Sequence, residues 1–450
     1  MASNYATHPM NFAKLIYAVK KTYIQVTTSI AFYPIIISMG LFALAMVTTY
    51  LDRISVGSSL INKVPFLKID NANTARDLLS SLLTGLISLV TFTFAMVMIV
   101  LTQVTTSFSP RLLPDLLNRK GSQVVLGTII GTIGFIIVVL SNVRTMSAGP
   151  KVPLLSVAIS MYLGFACLIA FIYFIHKISN EVQIGNILST IYHTTRYVLD
   201  RELDSGSYHE DWKEDEEFYL VKAWDSGYFD TITSKEFMKV SRKKGLKLRV
   251  LVHQGTYLLK GEPFLKVNKP LNEETQQILE ENVIFRHQET IKENYFYSFK
   301  HLTEIAVKAL SPGINDPGTA MHAIDYLLDL LCRLQELRGQ KVVTHKDGTA
   351  SIIYAPVPFE KIFYLCTSSI RAYSSQDVAV QAKLIDLIAK VSKRDKEDKH
   401  KPLLEKELSS IEEASAQDMK SQEDIAFIKT LVQQAREKYM SHEPSERREK

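Results

Sequence analysis

Between residues 293 and 325 the sequence gathers Glu293, Glu304, Asn315, Asp316 and Asp325, four carboxylates and an amide. Oxygen donors of this kind suit a hard cation such as Mg²⁺ or Ca²⁺, and His301 or His322 would shift the preference toward a transition metal. His301 with Glu304, and His322 with Asp325, stand three residues apart and so share a helix face. The same residues also make helix caps and surface ion pairs, and their spacing matches no recognised metal motif. The structural alternative therefore carries more weight: no cofactor is predicted, and a divalent cation stays open. At the centre lies the string Ala309-Leu310-Ser311-Pro312-Gly313-Ile314-Asn315-Asp316-Pro317-Gly318-Thr319-Ala320. Pro312 and Gly313 stop one helix, and Asp316 before Pro317 starts the next as an N-cap with proline at the first helical position.

The densest basic cluster is Lys239, Arg242, Lys243, Lys244, Lys247 and Arg249. It could hold anionic lipid or a phosphorylated ligand, at about 1 kcal/mol per cation near a charged surface. Favourable charge at a helix C-terminus explains it equally well. Met238-Lys239-Val240 resembles the modified lysine of a biotin or lipoyl carrier, but that lysine needs an exposed hairpin and Lys239 falls in a predicted helix. No phosphate loop, dinucleotide fingerprint, nucleophile elbow or zinc-protease helix occurs, which lowers the expectation of an enzyme. Cys167, Cys332 and Cys366 share no short spacing, so neither a disulfide framework nor a zinc site can be read from them. A net charge of +5 with both signs mixed does not suggest a nucleic-acid partner.

The elements that carry these residues fall into two contrasting halves. A mean hydropathy of +0.04 describes an ordinary soluble chain, yet Thr22–Leu51, Leu78–Pro110, Gly121–Val143 and Val152–His176 contain no Asp, Glu, Lys or Arg. A run of ~20 apolar residues crosses a bilayer as a helix, because lipid offers no partner for open backbone groups. Four such helices are predicted at Ser29–Tyr50, Ser80–Thr102, Ser122–Ser141 and Pro153–Phe174. The first is too long for a signal-peptide core and is read as retained. In the third, Gly127, Gly131 and Gly134 fall on one face and permit close approach of another helix. In the second, Ser81, Thr84, Ser88 and Thr91 form a hydroxyl stripe that either lines a water path or bonds back to its own carbonyls. No ionisable residue lies deep in any span, which argues against a proton pump.

Four crossings leave both termini on one side. Lys14, Lys20, Lys21, Arg111, Arg119, Lys120, Lys177 and Arg196 flank the proposed inside, against Arg53, Lys63, Lys68, Arg76, Arg144 and Lys151 outside. The expectation is a multi-pass protein of a bacterial inner (plasma) membrane with cytoplasmic N- and C-termini. Its parts are a cytoplasmic N-terminal segment (1–28), a four-helix transmembrane domain (29–178), a connecting helix or linker (179–214) and a small β-rich module (215–286). A helical domain (287–391) and a charged C-terminal tail (392–450) follow. Short strands are predicted at Phe218–Ala223, Gly227–Ile232, Leu246–His253, Thr256–Leu259 and Pro263–Val267, with a helix at Thr233–Lys244. Beyond Glu273 the chain reads as mainly helical, with helices at Glu289–Leu310, Thr319–Leu337, Glu360–Ser374 and Asp377–Val391. The fold class is thus a membrane α-helical part followed by a soluble α+β part.

The Ser311-Pro312-Gly313-Ile314-Asn315-Asp316-Pro317 string resembles the hallmark of a bacterial family of predicted membrane proteins classed as a domain of unknown function. The resemblance runs from about Tyr23 to Lys390. It takes in Phe108-Ser109-Pro110-Arg111-Leu112-Leu113, Gln123-Val124-Val125-Leu126-Gly127-Thr128 and Ser226-Gly227-Tyr228-Phe229-Asp230. It also takes in Gly255-Thr256-Tyr257-Leu258, Gly261-Glu262-Pro263-Phe264, Glu293 to Phe296 and Asp325. Glu293 and Glu304 stand where the family commonly has Asp, and Gly318 where it often has a bulky residue. The resemblance implies an architecture and no settled activity. The residues themselves suggest a channel-like or transport protein in the lipid bilayer, a homo-oligomer because four helices rarely enclose a path, assembled or regulated by its cytoplasmic part. The alternative is a membrane-anchored metal-dependent enzyme, or a sensor or scaffold, with its site around Asn315 and Asp316.

Overall fold

The computed structural model describes residues 31–54, 69, 71–107, 120–146, 149–181, 183–209, 218–232, 234–286, 294–345 and 350–439. The N-terminal segment 1–28, the Phe108–Leu113 string, Glu293 and the last residues lie outside them. The chain divides into two compact units, one ending at Gln183 and one running from Ile184.

The first unit is built on helices α1 (Phe32–Arg53), α2 (Ala72–Ser107), α3 (Lys120–Asn142) and α4 (Leu154–Glu181). Each is long and apolar enough to cross a membrane, in agreement with the four charge-free runs. A short antiparallel hairpin, β1 (Arg144–Met146) with β2 (Gly149–Lys151), joins α3 to α4. Helix α3 is central, with 44% of its span buried against 11% for α2. The interior holds Leu79, Ile129, Phe135, Ile136, Val139 and Phe174.

Gly127 and Gly131 set the distance of α3 from α1. A methyl group placed on Gly127 would sit 2.8 Å from Pro34 Cα, and one on Gly131 would sit 2.7 Å from Leu41 Cδ1. Ser38 Oγ, 3.4 Å from the Gly127 carbonyl, donates across the same contact. Gly134 has nothing within 4 Å and takes no part. The end of α1 is tied to the start of α4 by Asp52. Its carboxylate accepts from Leu155 N (3.1 Å), Ser156 N (3.0 Å) and Ser156 Oγ (2.7 Å). An anion there satisfies orphan N–H groups and complements the helix dipole.

The second unit opens with α5 (Ile184–Asp204) and then folds two sheets around one core. Its strands are β3 (Tyr208–His209), β4 (Tyr219–Lys222), β5 (Gly227–Ile232), β6 (Leu248–Val250), β7 (Tyr257–Leu258), β8 (Pro263–Val267), β9 (Val283–Arg286), β10 (Gln340–Thr344) and β11 (Ala350–Tyr354). One sheet runs β3-β10-β11-β6-β8-β4 and the other β7-β5-β9. Between them, with helix α6 (Ser234–Lys244), are Phe229, Phe237, Leu248, Phe264, Leu265 and Ile352, all fully buried. Gly245 (φ +61) ends α6 in the left-handed conformation that glycine adopts without steric cost.

The structure differs from the sequence pattern in two places. The stretch read as mainly helical also contributes β9, β10 and β11, and β11 pairs in parallel with β6 through Ile352 and Leu248. β10 and β11 pair with each other as a hairpin, but the second partner of β11, β6, lies far back in the chain, which no local period reveals. The charged C-terminal tail, read as a polar helix or a disordered segment, is helical as α12 (Lys401–Asp418) and α13 (Gln422–Tyr439) and packs through an apolar stripe. Leu404, Leu408, Ile411, Ile428 and Val432 are wholly buried there, a stripe too narrow to stand out from the surrounding charge.

The remaining helices are α7 (Glu273–Asn282), α8 (Tyr295–Ala309), α9 (Pro317–Leu334), α10 (Phe359–Tyr373) and α11 (Val378–Arg394). Helix α9 lies against α5, α8 and α11 and buries Ile324, Leu327, Leu330 and Leu331 completely. Asn272, Asn294, Asp316 and Asp377 each cap their helix through the side chain.

Candidate functional site

The turn between α8 and α9 carries Asn315 and Asp316. Asn315 sits at φ +49, the left-handed region that asparagine tolerates better than most side chains. The Asp316 N–H donates to Ala309 O at 2.8 Å, closing the turn. Asp316 Oδ1 accepts from Thr319 N (3.0 Å) and Oδ2 from Thr319 Oγ1 (2.6 Å). These hydrogen bonds hold its carboxyl below the usual carboxylate range. Both oxygens are therefore engaged in starting α9.

The other proposed ligands go elsewhere. Glu304 Oε2 lies 3.3 Å from the buried His301 Nδ1, as their spacing on one face of α8 implies. Asp325 pairs with Lys383 of α11 at 2.6 Å. Instead of facing a metal with Asp325, His322 packs its ring on Tyr326, 4.6 Å between centroids. Among the described residues no three His, Cys, Asp or Glu side chains gather to hold a metal ion. Asp316, Glu304 and Asp325 are thus separate contacts along two helices.

Thiol chemistry has no support in the second unit. Burial pushes the Cys332 thiol up to about 11 and the Cys366 thiol up to about 12, which leaves both protonated at neutral pH. Ser241 Oγ lies 3.2 Å from His345 Nε2, a serine–histidine contact between residues far apart in the chain. Ser241 is only 1% exposed and also contacts Leu246 O and Ser351 Oγ, so it joins α6 to β11 and is closed to a substrate.

In the basic cluster, Lys239, Arg242 and Lys243 are exposed on one face of α6, opposite the buried Phe237 and Ser241. Lys244 pairs with Glu274. An ion-pair network between α5 and α9 escaped the sequence reading. Tyr192 donates to Asp329 (2.9 Å) and accepts from Arg196 (2.8 Å), and Arg333 bridges Asp329 and Asp200. Its signal was present in the four-residue spacing of Tyr192, Arg196 and Asp200, and of Asp329 and Arg333.

In the membrane unit, α2 leaves one face open. Ser81, Thr84, Gly85, Ser88 and Thr91 are all exposed along it. Thr84, Ser88 and Thr91 donate to the carbonyls of Ser80 (2.9 Å), Thr84 (3.0 Å) and Ile87 (3.0 Å). Back-bonding satisfies each hydroxyl proton while the oxygen lone pairs stay free to accept. Beside this face a cleft of about 660 Å³ runs between α2 and α4, with Ser81, Leu82 and Gly85 on one wall and Gly164 and Leu168 on the other. Asp77 and Thr74 stand at one end of the cleft. Its floor is tight, since a methyl group on Gly164 would come within 2.8 Å of Leu82 Cδ2.

A family model described as predicted membrane protein (DUF2254) matches residues 27–390. Uncharacterized proteins of Mycobacterium bovis and of Mycobacterium tuberculosis are 22% identical over 384 residues, covering 82% of this chain and 73% of each relative. No solved structure matches.

Proposed function

Since the chain belongs to the family described as predicted membrane protein (DUF2254), we propose that this membrane protein is an oligomeric channel-like or transport protein, assembled or regulated by its second unit. The observation that carries the reading is the open hydroxyl face of α2, along which Ser81, Thr84, Ser88 and Thr91 are exposed. Hydroxyl oxygens that can still accept suit a path for water or a hydrated ion better than a boundary with lipid tails. In this reading further copies supply the facing wall.

The test is ion flux from proteoliposomes holding the full chain, with a Thr84→Leu/Ser88→Leu double variant beside it. Protein-dependent flux that the double variant lowers supports the reading. Absence of flux across several ions and voltages sinks it, as does flux that the double variant leaves unchanged. We give the Asn315–Asp316 turn a structural role in this reading, supported by the Asp316 hydrogen bonds to Thr319 that start α9.

A further inference from the structure

Helix α6 buries Phe237 and Ser241 on one side and exposes Lys239, Arg242 and Lys243 on the other. The loop from β8 to α7 brings a further cation to the end of the same helix. Asn268 Oδ1 accepts from Lys247 N at 2.7 Å, and Asn268 Nδ2 donates to Gly245 O at 3.1 Å, which fixes this loop against the end of α6. The Lys269 ammonium consequently stands 3.9 Å from the place that a methyl group on Gly245 would take. Two residues further on, Leu271 is 40% exposed, an apolar side chain at the edge of a basic surface.

Helix capping does not account for these charges. The end of α6 is closed by Leu246 N, which donates to Ser241 O at 3.1 Å, and by the Asn268 amide on Gly245 O. Lys244 is taken by Glu274 at the start of α7. Among the described residues, no carboxylate pairs with Lys239, Arg242, Lys243 or Lys269. Lys239 and Lys243 stand four residues apart, a like-charge spacing that destabilises a helix until an anion covers it.

The layout decides which anion. The cations are spread over an exposed helix face and a loop, with no buried donor to grip a single phosphate. A plane of anionic headgroups meets all of them at once, and its acyl boundary takes up Leu271. The chain brings such a plane with it, since only residues 182 and 183 separate α4, the last spanning helix, from α5, which opens the second unit. That tether makes the encounter intramolecular, so a patch too weak to recruit a free protein still engages.

We propose that Lys239, Arg242, Lys243 and Lys269, with Leu271, dock the second unit on anionic lipid headgroups of the bilayer that holds the first. Docking requires no conduction through the first unit and is independent of that reading. Each cation near an anionic surface is worth about fivefold in binding.

The test uses the full chain carrying Leu271→Cys labelled with a polarity-sensitive fluorophore. The native Cys167, Cys332 and Cys366 are buried and leave the label to the new site. The protein is reconstituted in vesicles of phosphatidylcholine alone or with about 30% phosphatidylglycerol. A blue shift, with quenching by lipids brominated near the headgroup, is expected only in the anionic vesicles. Both signals should fade as salt rises from about 0.1 M to about 1 M, where the Debye length falls from about 10 Å to about 3 Å. Lys239→Gln/Arg242→Gln/Lys243→Gln should weaken docking about a hundredfold and remove the shift. Lys396→Gln/Lys399→Gln/Lys420→Gln, which removes as much charge from other exposed residues, should keep it. The first triple variant should also melt in detergent no lower than wild type; a clear drop would return its cations to holding α6 and overturn the proposal. Equal signals in the two kinds of vesicle, or equal losses in the two triple variants, overturn it as well. So does displacement of the signal by soluble glycerol phosphate, which would assign the patch to a free phosphorylated ligand.

Discussion

At Asp316 one carboxylate joins two hydrogen bonds from Thr319 to the start of α9. Replacing a side-chain cap by alanine costs about 0.5–2 kcal/mol, so Asp316→Ala should lower the stability of the second unit by that amount at pH 7. The effect should depend on pH in a defined direction. Folding depresses the Asp316 pKa, so its stabilisation is complete above the unfolded carboxylate value of about 3.9 and is lost as pH falls through the folded value. Melting curves of wild type and variant should therefore converge below about pH 4. A gap that persists unchanged at acid pH would show that the charged cap is not the source. Asp52 is a second such residue. Asp52→Ala strips the partners from Leu155 N and Ser156 N, and should destabilise the membrane unit by about 1–3 kcal/mol in a detergent unfolding assay.

Among the elements, the pair α1 and α3 depends on glycine more than on any side chain. The contacts to Pro34 and Leu41 leave no room for a larger residue at Gly127 or Gly131. Gly127→Val should push the helices apart and cost about 1–3 kcal/mol. Gly134→Ala meets nothing within 4 Å and should be neutral or stabilising by up to about 1 kcal/mol, the helix propensity difference. Equal effects of the two substitutions would contradict the close approach. In the second unit, α12 and α13 are held by apolar burial and by Arg436, which bonds Glu405 (2.6 Å) and Glu412 (3.0 Å). Glu407 of α12 is tied to Arg371 of α10 at 2.9 Å, and burial raises its carboxyl above the ordinary range. These helices therefore belong to the folded unit through α10, whatever their surface charge suggests.

For the whole molecule, the open face of α2 makes the oligomer the decisive question. If copies meet there, Ser88→Cys should form a disulfide between copies under mild oxidation in the membrane. Leu79→Cys, whose side chain is fully buried within one copy, should not. Cross-linking at neither position, together with a monomer in lipid, would remove the oligomeric reading. It would also return the hydroxyl stripe to back-bonding alone.

The division of labour between sequence and fold follows the range of the forces involved. The four spanning helices were legible because a charge in a bilayer is expensive, so their signature is a local absence of Asp, Glu, Lys and Arg. The turn at Ser311–Thr319 was legible for a similar reason, since Pro317 and the Asp316 cap act within a few residues. Glu304 and Asp325 looked like co-ligands from their types and spacing. Only the packing of α9 on α11 gave Asp325 to Lys383, whereas the three-residue spacing on α8 already placed Glu304 beside His301. The pairing of β11 with β6 and the capping of α4 by Asp52 join residues far apart in the chain. No local pattern encodes such partners, because each is selected by what the rest of the fold brings alongside.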